Sequence, residues 1–158
     1  MKFVAIAALF TVASGSLYAQ NVDVKNAWVR ASVQGQKATG AFMQLTASQP
    51  TTLVGVASPV AGVAEVHEMK MDGDVMRMRA LPQGLPLPAG QPVALTPGGY
   101  HVMLMDLKAT LPKDSTIPLT LTFKDAKGVE SRVELKLPVA TTAPGGAAPP
   151  AGHAGHKH

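Results

Sequence analysis

Two short stretches of the chain concentrate side chains able to hold a soft metal ion. Residues 65–80 read EVHEMKMDGDVMRMRA, and residues 98–107 read GGYHVMLMDL. Together they carry His67, His101 and six of the chain's eight methionines; beyond Met1, only Met43 lies elsewhere. A thioether is a soft, neutral ligand, poor for Zn²⁺, Mg²⁺ or Ca²⁺ and well suited to Cu(I), whereas imidazole serves copper in either oxidation state. A set of two histidines and two methionines would hold Cu(I) and still yield it to a stronger, cysteine-based acceptor. That is the chemistry of carriage rather than of storage or turnover. Taken singly, each residue has a plainer account, because methionine is a common filler of cores and a lone histidine on a strand is usually hydrogen-bonded structure. The joint pattern is what points to a metal.

Strands are needed to gather these side chains. Asp72-Gly73 is a strong hairpin signal, since a two-residue type I′ turn needs positive φ at both central positions. With those two residues as the loop, Met71 faces Asp74, Met69 faces Met76 and His67 faces Met78. Directly opposed side chains have Cβ atoms ~4.5–5.5 Å apart, so an imidazole and a thioether would meet across the ladder. Strand alternation puts His67, Met69 and Met71 on one face with Met76 and Met78. In the second stretch it sets His101, Met103 and Met105 against an apolar face of Tyr100, Val102 and Leu104.

The rest of the chain supplies more of the same. Short apolar segments broken by Gly, Pro and Asp predict strands over 22–31, 39–47, 51–58, 64–71, 75–81, 93–96, 100–107, 117–123 and 129–137. Spacing of roughly 8–12 residues between turn signals is that of an all-β sandwich or barrel. No stretch keeps a 3.6-residue apolar period for three turns, which argues against long helices. After Pro138 the sequence becomes VATTAPGGAAPPAGHAGHKH. Residues 139–158 are too poor in large apolar side chains to offset the entropy of ordering and are expected to be disordered. The folded, metal-binding domain is accordingly expected over residues 20–138.

Composition removes several classes of function. The 158 residues contain no cysteine, so there is no thiolate nucleophile, no Cys-based zinc or iron–sulfur site, and no thiol–disulfide exchange. A blue-copper centre, which needs a thiolate ligand, is also excluded, as is lipid attachment through an acylated cysteine. The net charge of +4 comes from scattered residues without a basic run or interleaved aromatics, so no nucleic-acid partner is expected. Residues 1–19 read as a secretory signal peptide: Lys2, an apolar run from Phe3 to Val12, then small residues leading to cleavage near Ala19. The apolar run is short of the ~20 residues a membrane span requires, and the mature chain is not expected to span a membrane.

The stretch HEMKMDGDVMRM, followed by GLPLPAG and GGYHVMLMDL, resembles the periplasmic copper chaperone family PCu(A)C, whose motif is a His, ten residues, a Met, about twenty-one residues and His-x-Met. Here ten residues separate His67 from Met78, twenty-two separate Met78 from His101, and Met103 closes the motif. The similarity extends over about residues 22–138 and includes AWVRAS, TGAFM and PLTLTF. The extra residue falls in the Gly/Pro-rich stretch before Gly98, where length changes are cheap. The resemblance implies a cupredoxin-like Greek-key β-sandwich with Cu(I) held by His67, Met78, His101 and Met103. It also implies a periplasmic location and delivery to the dinuclear Cu-A centre of cytochrome c oxidase, with that oxidase's copper-bearing subunit and Sco-type proteins as partners. A monomer is expected. Met69, Met71, Met76 and Met105 lie outside the motif and are expected either to form a soft shell that limits water or to act as transient ligands.

His153, His156 and His158 stand in the tail with no core to satisfy. Flexible imidazole-rich ends favour borderline ions, and a second, Cu(II) site is expected there. Two alternatives to a carrier are a periplasmic buffer or resistance protein that sequesters copper, and a copper redox enzyme. No Ser-His-Asp arrangement or paired carboxylates accompany the histidines, so catalysis is not expected.

Overall fold

Apolar residues alternating between Gly, Pro and Asp breaks build ten strands in the computed structural model, which describes residues 22–144. In chain order they are β1 (Val22–Arg30), β2 (Ala38–Ala47), β3 (Thr51–Ala57), β4 (Ala61–Asp72), β5 (Val75–Ala80), β6 (Leu85–Leu87), β7 (Pro92–Leu95), β8 (His101–Leu107), β9 (Thr116–Asp125) and β10 (Glu130–Ala140). Among the described residues no helix is long and apolar enough to cross a membrane.

The strands join in the order β5-β4-β8-β2-β1-β10-β9-β3-β6, with β7 also paired to β2. Neighbours in space are often distant in sequence, as Greek-key connections require. A parallel pairing of β1 with β10, Val29 to Val139 and Arg30 to Ala140, links the two halves of the ladder. Both halves contribute to a single core. Val29, Leu45, Val102 and Leu104 come from one half and Leu53, Leu121, Phe123 and Leu137 from the other, all essentially inaccessible. The Ile117–Phe123 and Val129–Leu137 segments form the expected hairpin, β9 with β10.

β1 carries a bulge where Asn26 and Ala27 together oppose Met43, between the Lys25–Gln44 and Trp28–Phe42 pairs. Asn26 takes φ 54° there, a conformation Asn tolerates better than most residues. The bulge re-aims the strand and stacks Trp28 on Phe42, ring centroids 5.0 Å apart. Both rings are buried, so β2 is covered on both faces around Phe42.

Two expectations need correction. The Gly/Pro-rich stretch after Leu81 is not wholly loop, because Leu85–Leu87 forms β6 against β3. Two prolines hide it from a propensity reading. As the terminal strand of the ladder it can accommodate a residue without an N–H, and Leu85 and Leu87 are buried on either side of exposed Pro86. The domain also extends past Pro138: β10 continues to Ala140, and Val139 is 1% exposed. Parallel pairing with β1 and hydrogen bonds from Val139 N to Ser115 O and from Asp114 N to Val139 O hold it. Residues 1–19 and His153, His156 and His158 lie outside the described residues.

Gly84 leads into β6 with φ +84°, and a Cβ there would stand 2.4 Å from the Leu53 carbonyl oxygen. Left-handed geometry alone costs a side-chain-bearing residue about 1–2 kcal/mol, and the clash with backbone adds to it. Gly84→Ala should therefore lower stability by at least about 2 kcal/mol, read as a reduced urea midpoint with unchanged m-value.

Candidate metal centre

The site is built on the outward face of β4, β8 and β2, where alternation turns one set of side chains to the core and the other away from it. On β8, Val102 and Leu104 are fully buried in the core, leaving His101 and Met103 on the opposite face. On β2, pairing of Gly40 with Met103 brings Gly40 and Phe42 to that same face. A Cβ on Gly40 would lie 2.8 Å from the Phe42 ring, so the glycine makes room for the aromatic that floors the site. Arg30 from β1 lies over the other part of this ring, its guanidinium carbon 5.3 Å from the centroid.

His67 and His101 are directly opposed across the β4–β8 ladder, their ring centroids 5.9 Å apart and inclined at 57°. Both are buried, at 9% and 7% exposure. Glu65 is opposed to Met103 one rung further along.

The hairpin register differs from the expected one. The two loop residues are Gly73 and Asp74, so that Asp72 pairs with Val75, Met71 with Met76, Met69 with Met78 and His67 with Ala80. Gly73 takes φ 63°, whereas Asp74 is not among the positive-φ residues. This is the pattern of a type II′ turn, which needs glycine only at its first central position. The type I′ reading of Asp72-Gly73 therefore misplaced the loop by one residue and β5 by two. Because the offset is even, every methionine keeps its face. His67 does not oppose Met78; Met78 instead reaches His101, whose Nε2 lies 3.3 Å from the Met78 sulfur.

Each imidazole is fixed by its own partner. His101 Nδ1 lies 3.0 Å from the Gly99 carbonyl oxygen; since a carbonyl only accepts, Nδ1 donates, and Nε2 keeps its lone pair beside Met78. His67 is held the other way round. Its Nε2 lies 2.7 Å from Glu65 Oε2, so it donates there and leaves the lone pair on Nδ1. That Nδ1 is buried without a hydrogen-bond partner. A buried nitrogen lone pair left unsatisfied is a cost that a bound metal ion would remove. The imidazole and thioether donors present fit a copper ion.

A cleft beside the histidines is lined by Met69, Met78, His101 and Met103, with Phe42 and Gly98. The structure thus gathers Met78, His101 and Met103 around one opening, with His67 buried alongside rather than in its lining. Met69, outside the sequence motif, lines the cleft as well. Met105 sits one rung beyond Met103 on β8, opposite Val63 and Ala38. The shell role expected for the other methionines does not suit Met71 and Met76, which are 55% and 46% exposed. No cluster of three or more His, Asp or Glu ligands occurs among the described residues. Glu65 is the residue a motif-based reading overlooks, though its place two residues before His67 on a strand already sets it on the same face.

Carboxylate partners of metal-binding imidazoles fix the tautomer, and their loss typically costs 10–100-fold in affinity. Glu65→Gln keeps the shape but can no longer force the proton onto Nε2. We expect Cu(I) affinity to fall about 10–100-fold while stability stays within about 0.5 kcal/mol, measured by competition titration and urea unfolding.

This architecture, an all-β fold with a cupredoxin-like arrangement, is that of PCuAC domains. The copper-bound PCuAC domain of PmoF2 superposes with a TM-score of 0.60 at 24% identity, over 78% of this chain and 95% of that one. Two solution structures of DR1885 from Deinococcus radiodurans also match. Its Cu(I) form has a TM-score of 0.59 at 29% identity over 82% and 84% of the two chains, and its apo form 0.55 at 31% over 88% and 94%. The chain belongs to the LpqE-like family, described as "Putative lipoprotein LpqE-like", whose model matches residues 22–139. A relative from Leifsonia xyli subsp. xyli, "Putative lipoprotein Lxx21020", is 35% identical over 118 residues, 75% of this chain and 71% of its own.

Proposed function

We propose that this protein is an exported copper carrier that binds Cu(I) through His67, Met78, His101 and Met103 and releases it to a protein acceptor. The observation that carries the reading is the pair of opposed, oppositely fixed histidines, His101 with Nε2 beside the Met78 sulfur and His67 with a buried Nδ1 that has no partner. Such a set is soft enough for Cu(I) and, lacking thiolate, weak enough to surrender it. The likeness to PCuAC domains solved with copper supports the choice of metal, and the lipoprotein names of the relatives support export. In this reading the signal peptide is cleaved near Ala19 and the product works in the periplasm as a monomer. The function is binding and release rather than turnover.

The acceptor in this reading is the copper-bearing subunit of cytochrome c oxidase, with Sco-type proteins as co-workers, and the tail histidines His153, His156 and His158 add a Cu(II) site. Mixing the Cu(I)-loaded chain with the apo Cu-A domain tests the delivery step. Copper should leave the carrier and the absorption of the Cu-A centre should develop once the second metal and oxidation state are supplied. Retention of the metal by the carrier at equilibrium would instead make the protein a buffer. Loss of one Cu(II) equivalent on deleting residues 145–158 is expected if the tail binds, and unchanged stoichiometry would remove the tail site.

A further inference from the structure

Met71 and Met76 belong to neither the core nor the centre. They are directly opposed on the β4–β5 hairpin, one rung outward from the opposed pair Met69 and Met78. β8 begins at His101, opposite His67, so beyond that rung β4 and β5 pair only with each other. Core filling is no explanation here: Met71, Met76 and Met78 are each about half exposed, at 55%, 46% and 47%. The opposite face of the hairpin is charged, with Glu68 opposed to Arg79 and Lys70 to Arg77, and ion pairs join Glu68 to Arg79 and Asp72 to Arg77. One face is thus ionic, while the other is a ladder of thioethers whose inner rung ends with the Met78 sulfur 3.3 Å from His101 Nε2.

We infer that Met71 and Met76 form an outer, transient site for a monovalent soft ion such as Cu(I) or Ag(I), from which the ion passes by ligand exchange through Met69 and Met78 to the histidines. Directly opposed residues have Cβ atoms ~4.5–5.5 Å apart, close enough for two flexible thioethers to share one ion. Successive rungs on one face are separated by two residues, ~6.6 Å along the strand, a step that the long methionine side chains reduce. Two thioethers alone leave coordination positions open, so the outer rung can hold an ion while a donor or acceptor protein still contributes a ligand. The exchange is redox-neutral: one metal–sulfur bond forms as another breaks, and no proton moves. The relay into the centre rests on the carrier reading, whereas the outer site does not.

The test is a titration of Ag(I), a redox-inert soft ion, into the full chain carrying ¹³C-methyl-labelled methionine, followed by NMR. The first equivalent should move the Met78 and Met103 methyl resonances, and a second, weaker event should move Met71 and Met76 together. Met71→Leu with Met76→Leu, which conserves side-chain volume, should lower the Ag(I) stoichiometry read by calorimetric titration by one equivalent and leave the Met78 and Met103 response to the first equivalent intact. Movement of Met71 and Met76 without any response at Met78 or Met103 would uphold the outer site while overturning the carrier reading. Met71 and Met76 resonances that stay fixed through three equivalents would overturn the outer site and leave the rung as an apolar contact surface.

Discussion

Replacing His101 by alanine should reduce Cu(I) affinity by at least about 100-fold, and Met78→Ala should do the same. Losing an outer-sphere partner already costs 10–100-fold, and each of these substitutions removes a proposed ligand outright. His101 is the more informative of the two. Its Nδ1 hydrogen bond to Gly99 ties the loop between β7 and β8 to the centre, and its Nε2 faces Met78, so alanine removes both the donor and its support. Met78→Ala leaves the imidazoles fixed and removes only sulfur, and Met78→Leu would keep the volume as well. A competition titration with a Cu(I) indicator reads all three variants. Undiminished affinity in all of them would return these side chains to ordinary packing.

The second large effect is on stability and should leave the metal untouched. Phe123 on β9 is 1% exposed and paired with Leu53, in the half of the ladder remote in pairing order from β4 and β8. Phe123→Ala should cost about 3–5 kcal/mol, combining lost burial with the cavity left behind. That is a large fraction of the 5–15 kcal/mol typical of a domain. The strand that carries it pairs with no element of the centre, and the ligands stand on the sheet face turned away from the core, so copper affinity per folded molecule should be unchanged. Copper added at about 1,000 times its dissociation constant should restore about 4 kcal/mol by mass action. Urea unfolding with and without Cu(I) measures both quantities on the same variant, and a copper affinity that fell along with stability would show the two halves to be coupled.

Much of this architecture is legible in the residues because local rules and burial agree. Alternation in HVMLMDL separates a core face from a ligand face without reference to anything else, and the Asp125–Gly128 turn marks the β9–β10 hairpin. Where two local rules compete, the reading fails. Asp72-Gly73 and Gly73-Asp74 both satisfy a two-residue turn, and only the backbone conformation decides between them, so the partner of His67 was misjudged while its face was not. LPLP argues against a strand until its terminal place in the ladder is known. Val139 looks like the start of a low-complexity tail until β1 is seen alongside it. The opposed histidines were beyond reach for a different reason, since the β4–β8 pairing joins segments more than thirty residues apart and no local signal sets that register. Strand parity alone sets Met69 and Glu65 on the face of His67, and the structure adds the hydrogen bond from His67 Nε2 to Glu65.

The half-exposed methionines Met71, Met76 and Met78 also mark where the protein is vulnerable. Addition of one oxygen converts a methionine to its sulfoxide, a polar, chiral group that has given up the soft character of the thioether. Met43, at 3% exposure, is shielded from that reaction, so oxidative damage would fall first on the hairpin and leave the fold standing. A molecule without cysteine has no disulfide to scramble, yet a thioether this accessible, once oxidised, regains its soft character only by reduction of the sulfoxide.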